Sequence, residues 1–325
     1  MLRRNFLAAA GTLIAATAAS TANASAATVQ GTGTTMTAGL NRLPMTAPTQ
    51  FVEADGIRFA YRRFGNKNGG VPLVFLMHFL GNMDNWDPAI TGGIARDREV
   101  IIFDNTGIAG TSGEVPVTID EMARDATSFI TALGLTRVDL LGFSMGGLIA
   151  QQIALDHPEL VRRLVLAGTG PRSGEGMTTQ TPESRAVFGK KYAHPDDLWL
   201  GVFFTPSEAS QKAGQAFLKR MEARQKNRDV EVDEKKVAPA QLAAIATWGA
   251  SKPDPYAYLK QIKQPVLVVN GDNDIIILTI NSFILKKNLP NAELIIYPDA
   301  NHGSLFQYSD SFVKSVLSFL KDRDA

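Results

Sequence analysis

Short, continuous apolar runs recur along this chain, and helical patterns lie between several of them. The runs cover residues 71–77, 99–104, 137–142, 163–167, 265–270 and 292–297. A strand buried on both faces reads as such a run, whereas a half-exposed strand alternates polar and apolar residues. Helical spacing covers 119–133, with Thr118 or Asp120 as the cap, 145–156, stopped by His157-Pro158, and 304–321. This alternation restricts the chain to an α/β architecture, a mostly parallel central sheet flanked by helices. Residues 51–64, with a turn at Asp55-Gly56, read as a leading hairpin.

The alternation stops after Gly170. No buried-strand pattern appears from 171 to 262, and helical patterns occupy 195–204, 207–224 and 239–248. This stretch is read as a helical cap inserted after the sixth strand, leaving 51–170 and 263–325 as the core. The mixed charge run 219–236 reads as a solvated face. The cap holds Phe188, Tyr192, Trp199, Phe203, Phe204, Phe217 and Trp248. Core packing is the expectation for most of these, and pocket lining for some.

The first residues read as an address. Arg3 and Arg4 precede a weakly apolar, alanine-rich stretch, and Ala24-Ser25-Ala26 fits a small-residue cleavage site. Residues 1–26 are therefore read as a twin-arginine-like signal peptide, and the protein as exported, periplasmic or secreted, in a bacterium. The alternative is an extended start, with Met36 or Met45 as the true first residue. Residues 27–50, rich in threonine, glycine and alanine, read as a flexible lead-in. No stable membrane insertion is expected once the signal is removed.

Composition narrows the chemistry. The 325 residues are 45% hydrophobic and 20% charged, an ordinary globular balance. A formal net charge of +1 provides no basic excess for nucleic acid. With no cysteine, disulfides, zinc–cysteine sites, iron–sulfur clusters and a thiol nucleophile are all excluded. Four histidines remain: His78, His157, His194 and His302. Their scatter implies no metal site, and no cofactor is expected.

The apolar run ending at 142 leads into Gly142-Phe143-Ser144-Met145-Gly146, and a helix follows. That is G-x-S-x-G on a strand-to-helix turn, which points a serine hydroxyl into a cleft. The two glycines remove side chains that would clash in so tight a turn. A serine hydroxyl needs a base, and the base needs an orienting group. His302 lies after the last strand, in a loop expected at the same sheet edge as Ser144. The orienter should be a carboxylate ending another strand, and Asp272 and Asp274 both follow the 265–270 run. One oxyanion donor is the N–H after the nucleophile, on Met145. The other comes from the loop after the early strand.

With these residues in place, the chain resembles the α/β-hydrolase fold family, and within it lidded serine hydrolases similar to cofactor-free haloperoxidase-like esterases. The resemblance spans about 51–320 and rests on MHFLGNMDNW, FDNTGIAGTSG, LLGFSMGG, VLAGTGP, VVNGDNDIII and YPDANHGSLF. It implies Asp274 as the acid, the third residue after the glycine in its turn, rather than Asp272. It implies Asp104 as a structural turn residue. Relatives read His-Gly-x in the oxyanion loop, where this chain reads His78-Phe79-Leu80-Gly81. Phe79 is the first choice of donor and Leu80 the second. Leu278 stands where relatives commonly carry proline. Epoxide hydrolases and haloalkane dehalogenases of this family carry aspartate where Ser144 stands.

The expected function is cleavage of an ester-like or other acyl bond in a small molecule through Ser144, His302 and Asp274. The alternatives are carbon–carbon bond or lactone hydrolysis, perhydrolysis, or a low-turnover ligand receptor built on the same triad.

Overall fold

The computed structural model describes residues 43–68, 70–194 and 197–321. The expected signal peptide, and the lead-in as far as residue 42, lie outside the described residues. Residues 43–50 of the lead-in are among those described. Leu43–Thr46 forms a short helix, α1, and the first strand starts at Gln50.

Eight strands form one sheet in the order β1-β2-β4-β3-β5-β6-β7-β8. Their bounds are β1 Gln50–Ala54, β2 Ile57–Gly65, β3 Leu73–Leu76, β4 Glu99–Phe103, β5 Val138–Phe143, β6 Val161–Ala167, β7 Val266–Gly271 and β8 Ala292–Tyr297. β1 and β2 make the leading hairpin, and β2 pairs antiparallel with β4. Every other neighbouring pair is parallel. In β3, β4, β5 and β7 every residue is buried, which is why these strands read as continuous apolar runs.

Helices cover both faces. On one lie α3 (Ile119–Ala132) and α4 (Met145–Asp156), packed through Phe129, Ile130, Leu148 and Ile149 against Val74, Leu140 and Leu164. On the other lie α2 (Pro88–Ala95) and the C-terminal helix α11 (Ser309–Leu320), over Phe75, Leu141 and Val165. Thr118 caps α3 by accepting from the Glu121 N–H, so Thr118 rather than Asp120 is the cap.

A helical cap follows β6. Its helices are α5 (Pro182–Gly189), α6 (Asp197–Phe203), α7 (Glu208–Met221) and α8 (Glu234–Gly249). No strand occurs between β6 and β7 among the described residues. The chain then adds α9 (Ile280–Asn288) after β7 and a single turn, α10 (Ser304–Gln307), after β8.

The charge run 219–236 is a solvated face in part, with Lys219, Glu222, Lys226 and Lys236 exposed, but other members turn to the core. Arg220 makes a two-pronged pair with the Asp87 carboxylate at 2.6 and 2.9 Å, and Asp87 is itself the N-cap of α2. Arg224 is buried and donates to the Pro44 and Ala47 carbonyls at 2.7 and 2.9 Å. Asp229 turns inward toward Asp104. The run fastens the cap to the core because charge-assisted hydrogen bonds provide directional partners at a seam.

Candidate active site

β5 ends at Phe143, and Ser144 follows with φ +56° and ψ −120° before α4 begins. A non-glycine residue at positive φ is strained, and the surroundings must hold it there. Three bonds do so. The Ser144 N–H donates to Ala167 O at 2.9 Å, and Ser144 O accepts from Gly147 N at 2.9 Å and Thr169 Oγ1 at 2.8 Å. The two motif glycines are required by contact. A Cβ on Gly146 would lie 1.9 Å from Leu76 O, and one on Gly142 would lie 2.3 Å from Gly146 O. The approach at Gly146 sets the start of α4 directly against the end of β3, which carries the His78–Gly81 loop.

Asp274 follows β7 and His302 follows β8, so adjacent parallel strands deliver both to one edge. His302 Nδ1 and Asp274 Oδ2 are 2.9 Å apart, and both side chains are buried. Asp274 Oδ1 accepts from the N–H groups of Ile276 and Ile277 at 2.8 and 2.9 Å. The carboxylate is thus fixed by its own turn and has one oxygen left for the imidazole. Asp272 is exposed and accepts instead from Asn273 Nδ2 at 2.7 Å. Asn301 joins the two loops, its Oδ1 accepting from Ile275 N at 3.0 Å and His302 N at 2.8 Å.

His302 also lies beside the serine turn. Its ring centroid is 5.0 Å from that of Phe143, and its Cε1 lies 3.3 Å from where a Cβ on Gly168 would sit. No hydrogen bond joins Ser144 Oγ to His302 among the described residues. Catalytic hydrogen bonds in ligand-free sites are commonly loose.

The early loop is a tight turn, with the Gly81 N–H donating to His78 O at 3.1 Å. Leu80, its third residue, has φ +57°. The Leu80 N–H donates to Gln241 Oε1 of α8 at 2.8 Å. The Phe79 N–H has no partner among the described residues. Met145 opens α4, so its N–H has no carbonyl one turn back to receive it. The N–H groups of Phe79 and Met145 are therefore left without a protein partner among the described residues, whereas that of Leu80 is engaged by Gln241.

His78 is buried, and burial lowers its pKa to about 4, so it is neutral near pH 7. Its Nδ1 lies 2.8 Å from Phe79 O, which makes Nδ1 the protonated nitrogen. His157 is the C-cap of α4, and His194 is exposed in the cap; neither reaches this edge. Asp104 is buried and accepts from Met83 N at 2.9 Å, which holds the loop after β3.

Aromatic residues roof the site. Phe203 of α6 packs against Phe143, Phe217 and Phe306 at centroid distances of 5.9, 6.1 and 5.3 Å. Trp199 meets the His78 ring edge-on at 5.6 Å. Trp248 lies apart, 6.0 Å from Tyr258. Phe204 and Phe217 are core, while Phe188 and Tyr192 are half-buried at the cap edge. Gln241 carries no motif in the sequence, and Asn301, although it lies inside YPDANHGSLF, has no role that the motif alone assigns.

Comparison with known proteins agrees with this fold. Residues 71–307 match the family described as the alpha/beta hydrolase fold. The chain is 28% identical to a putative carbamate hydrolase, RutD, of Rhizobium rhizogenes, over 75% of this chain and 90% of that one. It is 30% identical to a poly(3-hydroxyalkanoate) depolymerase of Ectopseudomonas oleovorans, over 69% of this chain and 76% of that one. A solved alpha/beta hydrolase fold protein from Chitinophaga pinensis superposes with a TM-score of 0.80 at 39% identity, covering 86% of this chain and 99% of that one. A strained serine after β5, a buried carboxylate–imidazole pair at the same edge and a family match across most of the chain lead to one conclusion: the chain belongs to the alpha/beta hydrolase fold family and is a hydrolase.

Proposed function

We propose that this hydrolase cleaves ester-like bonds of small molecules through a covalent acyl-enzyme on Ser144. One observation carries the reading: Ser144, held at positive φ, shares a sheet edge with the buried Asp274–His302 pair. Ser144 Oγ attacks the substrate carbonyl carbon as its proton passes to His302 Nε2. Asp274 holds the imidazole in the tautomer that leaves Nε2 free, and stabilises the imidazolium once it forms. The tetrahedral oxyanion accepts from the N–H groups of Phe79 and Met145. Collapse expels the alcohol, protonated by His302, and leaves the acyl group on Ser144. Water then attacks, His302 takes its proton, and the second collapse releases the acid and restores the serine hydroxyl.

We take an ester as the bond cleaved, with an apolar acyl group suited to the aromatic side chains of Phe143, Phe203 and Phe306 packed beside the serine turn. The likeness to a depolymerase of polymeric hydroxyalkanoates supports the same choice. We further propose that the cap spans 171–262, and that residues 1–26 export the protein to the periplasm or beyond, on the strength of Arg3-Arg4 and the small residues ending at Ala26.

The test is turnover of p-nitrophenyl esters of graded chain length by the mature protein, beside Ser144→Ala. The proposal expects multiple turnovers by the parent, and a loss of about a thousandfold or more in the variant. Equal rates from both would overturn it.

A further inference from the structure

The loop that supplies the Phe79 N–H depends on a residue far away in the cap. His78 to Gly81 form a turn closed by Gly81 N–H donating to His78 O at 3.1 Å. A turn whose third residue has positive φ differs from the commoner kind by a flip of its central peptide. Here that peptide is Phe79–Leu80, and both of its polar ends are held. His78 Nδ1 donates to Phe79 O at 2.8 Å, and Leu80 N–H donates to Gln241 Oε1 at 2.8 Å.

Leucine does not favour this conformation, because its Cβ crowds the backbone at positive φ. The strain must be offset by the surroundings. The Leu80 side chain packs with Val232, Val237 and Ala238, at or beside the start of α8. Gln241 lies one turn further along the same helix and is 1% exposed. Its acceptor oxygen suits the peptide as it stands, with the N–H turned toward the cap. A flipped peptide would turn Phe79 O toward the cap and remove its bond from His78. It would also free the Leu80 N–H to compete with Phe79 as the spare donor.

We propose that Gln241 is a positioning residue that locks the Phe79–Leu80 peptide, keeps the Leu80 N–H turned to the cap, and so makes the donor set offered to the oxyanion depend on seating of the cap. This inference rests on the acyl-transfer reading above. It adds that the cap takes part in carbonyl activation as well as in roofing the site.

The experiment compares wild type, Gln241→Met, Gln241→Leu and Gln241→Glu. Glutamate keeps an acceptor oxygen at the same reach; methionine and leucine do not. Methionine matches glutamine in length and adapts to its packing, which guards against misfolding. Three quantities are measured: kcat and KM on p-nitrophenyl butyrate, and inhibition by an alkyl trifluoromethyl ketone, whose serine adduct carries an oxyanion. The expected result is a fall in kcat of about tenfold or more in the Met variant, with KM within about twofold. Ketone affinity should fall by a similar factor, and Gln241→Glu should recover most of both. A loosened cap alone would raise KM and leave the ketone's advantage over substrate intact. That pattern, or a Met variant with wild-type kcat, overturns the inference while leaving the acyl-transfer reading in place. A wild type that neither turns over ester nor forms the ketone adduct overturns both.

Discussion

His302 Nδ1 and Asp274 Oδ2 lie 2.9 Å apart, and the second oxygen of Asp274 is taken up by the N–H groups of Ile276 and Ile277. The carboxylate is therefore oriented before any substrate arrives. Asp274→Asn should keep the fold and lose activity, because the amide no longer enforces the tautomer that leaves Nε2 basic. The expected loss in kcat is roughly a thousand- to ten-thousandfold. Asp272→Asn, on an exposed side chain two residues earlier, should stay within about threefold of wild type. Ester kinetics on the two variants check the assignment.

The glycines differ in what they cost to replace. Gly146→Ala would drive a methyl to 1.9 Å from Leu76 O, a backbone atom of the central sheet. It should destabilise the protein by about 3 kcal/mol or more and lower the soluble yield. Gly56, in the β1–β2 turn at φ +79°, has nothing within 4 Å of an added Cβ. Gly56→Ala pays only the conformational penalty, about 1 kcal/mol. Thermal midpoints should fall in that order.

Asp104 and Asp229 face one another across the seam between core and cap. Both carboxyls titrate above the ordinary carboxylate range, chiefly through burial, and the charge of Asp229 raises Asp104 further. Asp84 also repels Asp229, and Arg62 attracts it. A carboxyl whose folded pKa is raised stabilises the fold fully below its unfolded pKa, near 3.8. That contribution is lost as pH rises through the folded pKa. Asp229→Asn removes one charge, keeps the oxygen that accepts from Val230 N at 2.9 Å, and can donate to Asp104. Urea midpoints should therefore rise for this variant at about pH 8 and change little at about pH 5, with a shallower pH slope between them. A lower midpoint at the higher pH would contradict the account of the pair.

Much of this fold was legible because buried parallel strands advertise themselves as apolar runs. The run at 99–104 lies on β4, every residue of which is buried, and the helix at 145–156 coincides with α4. Elements held by tertiary contact were harder to read. α2 has the sequence PAITGGIA, weakly helical by propensity, and is fixed by close packing: a Cβ on Gly93 would lie 3.0 Å from Val313 of α11. Pro239 reads as a helix start, yet α8 begins at Glu234, capped by Asp233. Lys235 and Pro239 are both exposed, so the carbonyl that Pro239 leaves without a helical partner can be hydrated. The helical pattern at 304–321 breaks at Tyr308, which stacks on Tyr297 at 4.6 Å and donates to Pro298 O.

The candidate site divides along the same line. Ser144 and His302 were legible from their places just after strands of one parallel sheet, whereas place alone left Asp272 and Asp274 both open and the family resemblance chose Asp274. Gln241 was not legible, because its partner Leu80 lies 161 residues away and nothing local marks a glutamine in a cap helix.

The most direct test of the central claim is to treat the folded protein with a fluorophosphonate probe and locate the adduct by peptide mass spectrometry. The account predicts one adduct, on Ser144, lost in Ser144→Ala and formed much more slowly in His302→Ala. A folded protein that takes no label, or takes it at another serine, would contradict the assignment of Ser144 as nucleophile and the mechanism built on it.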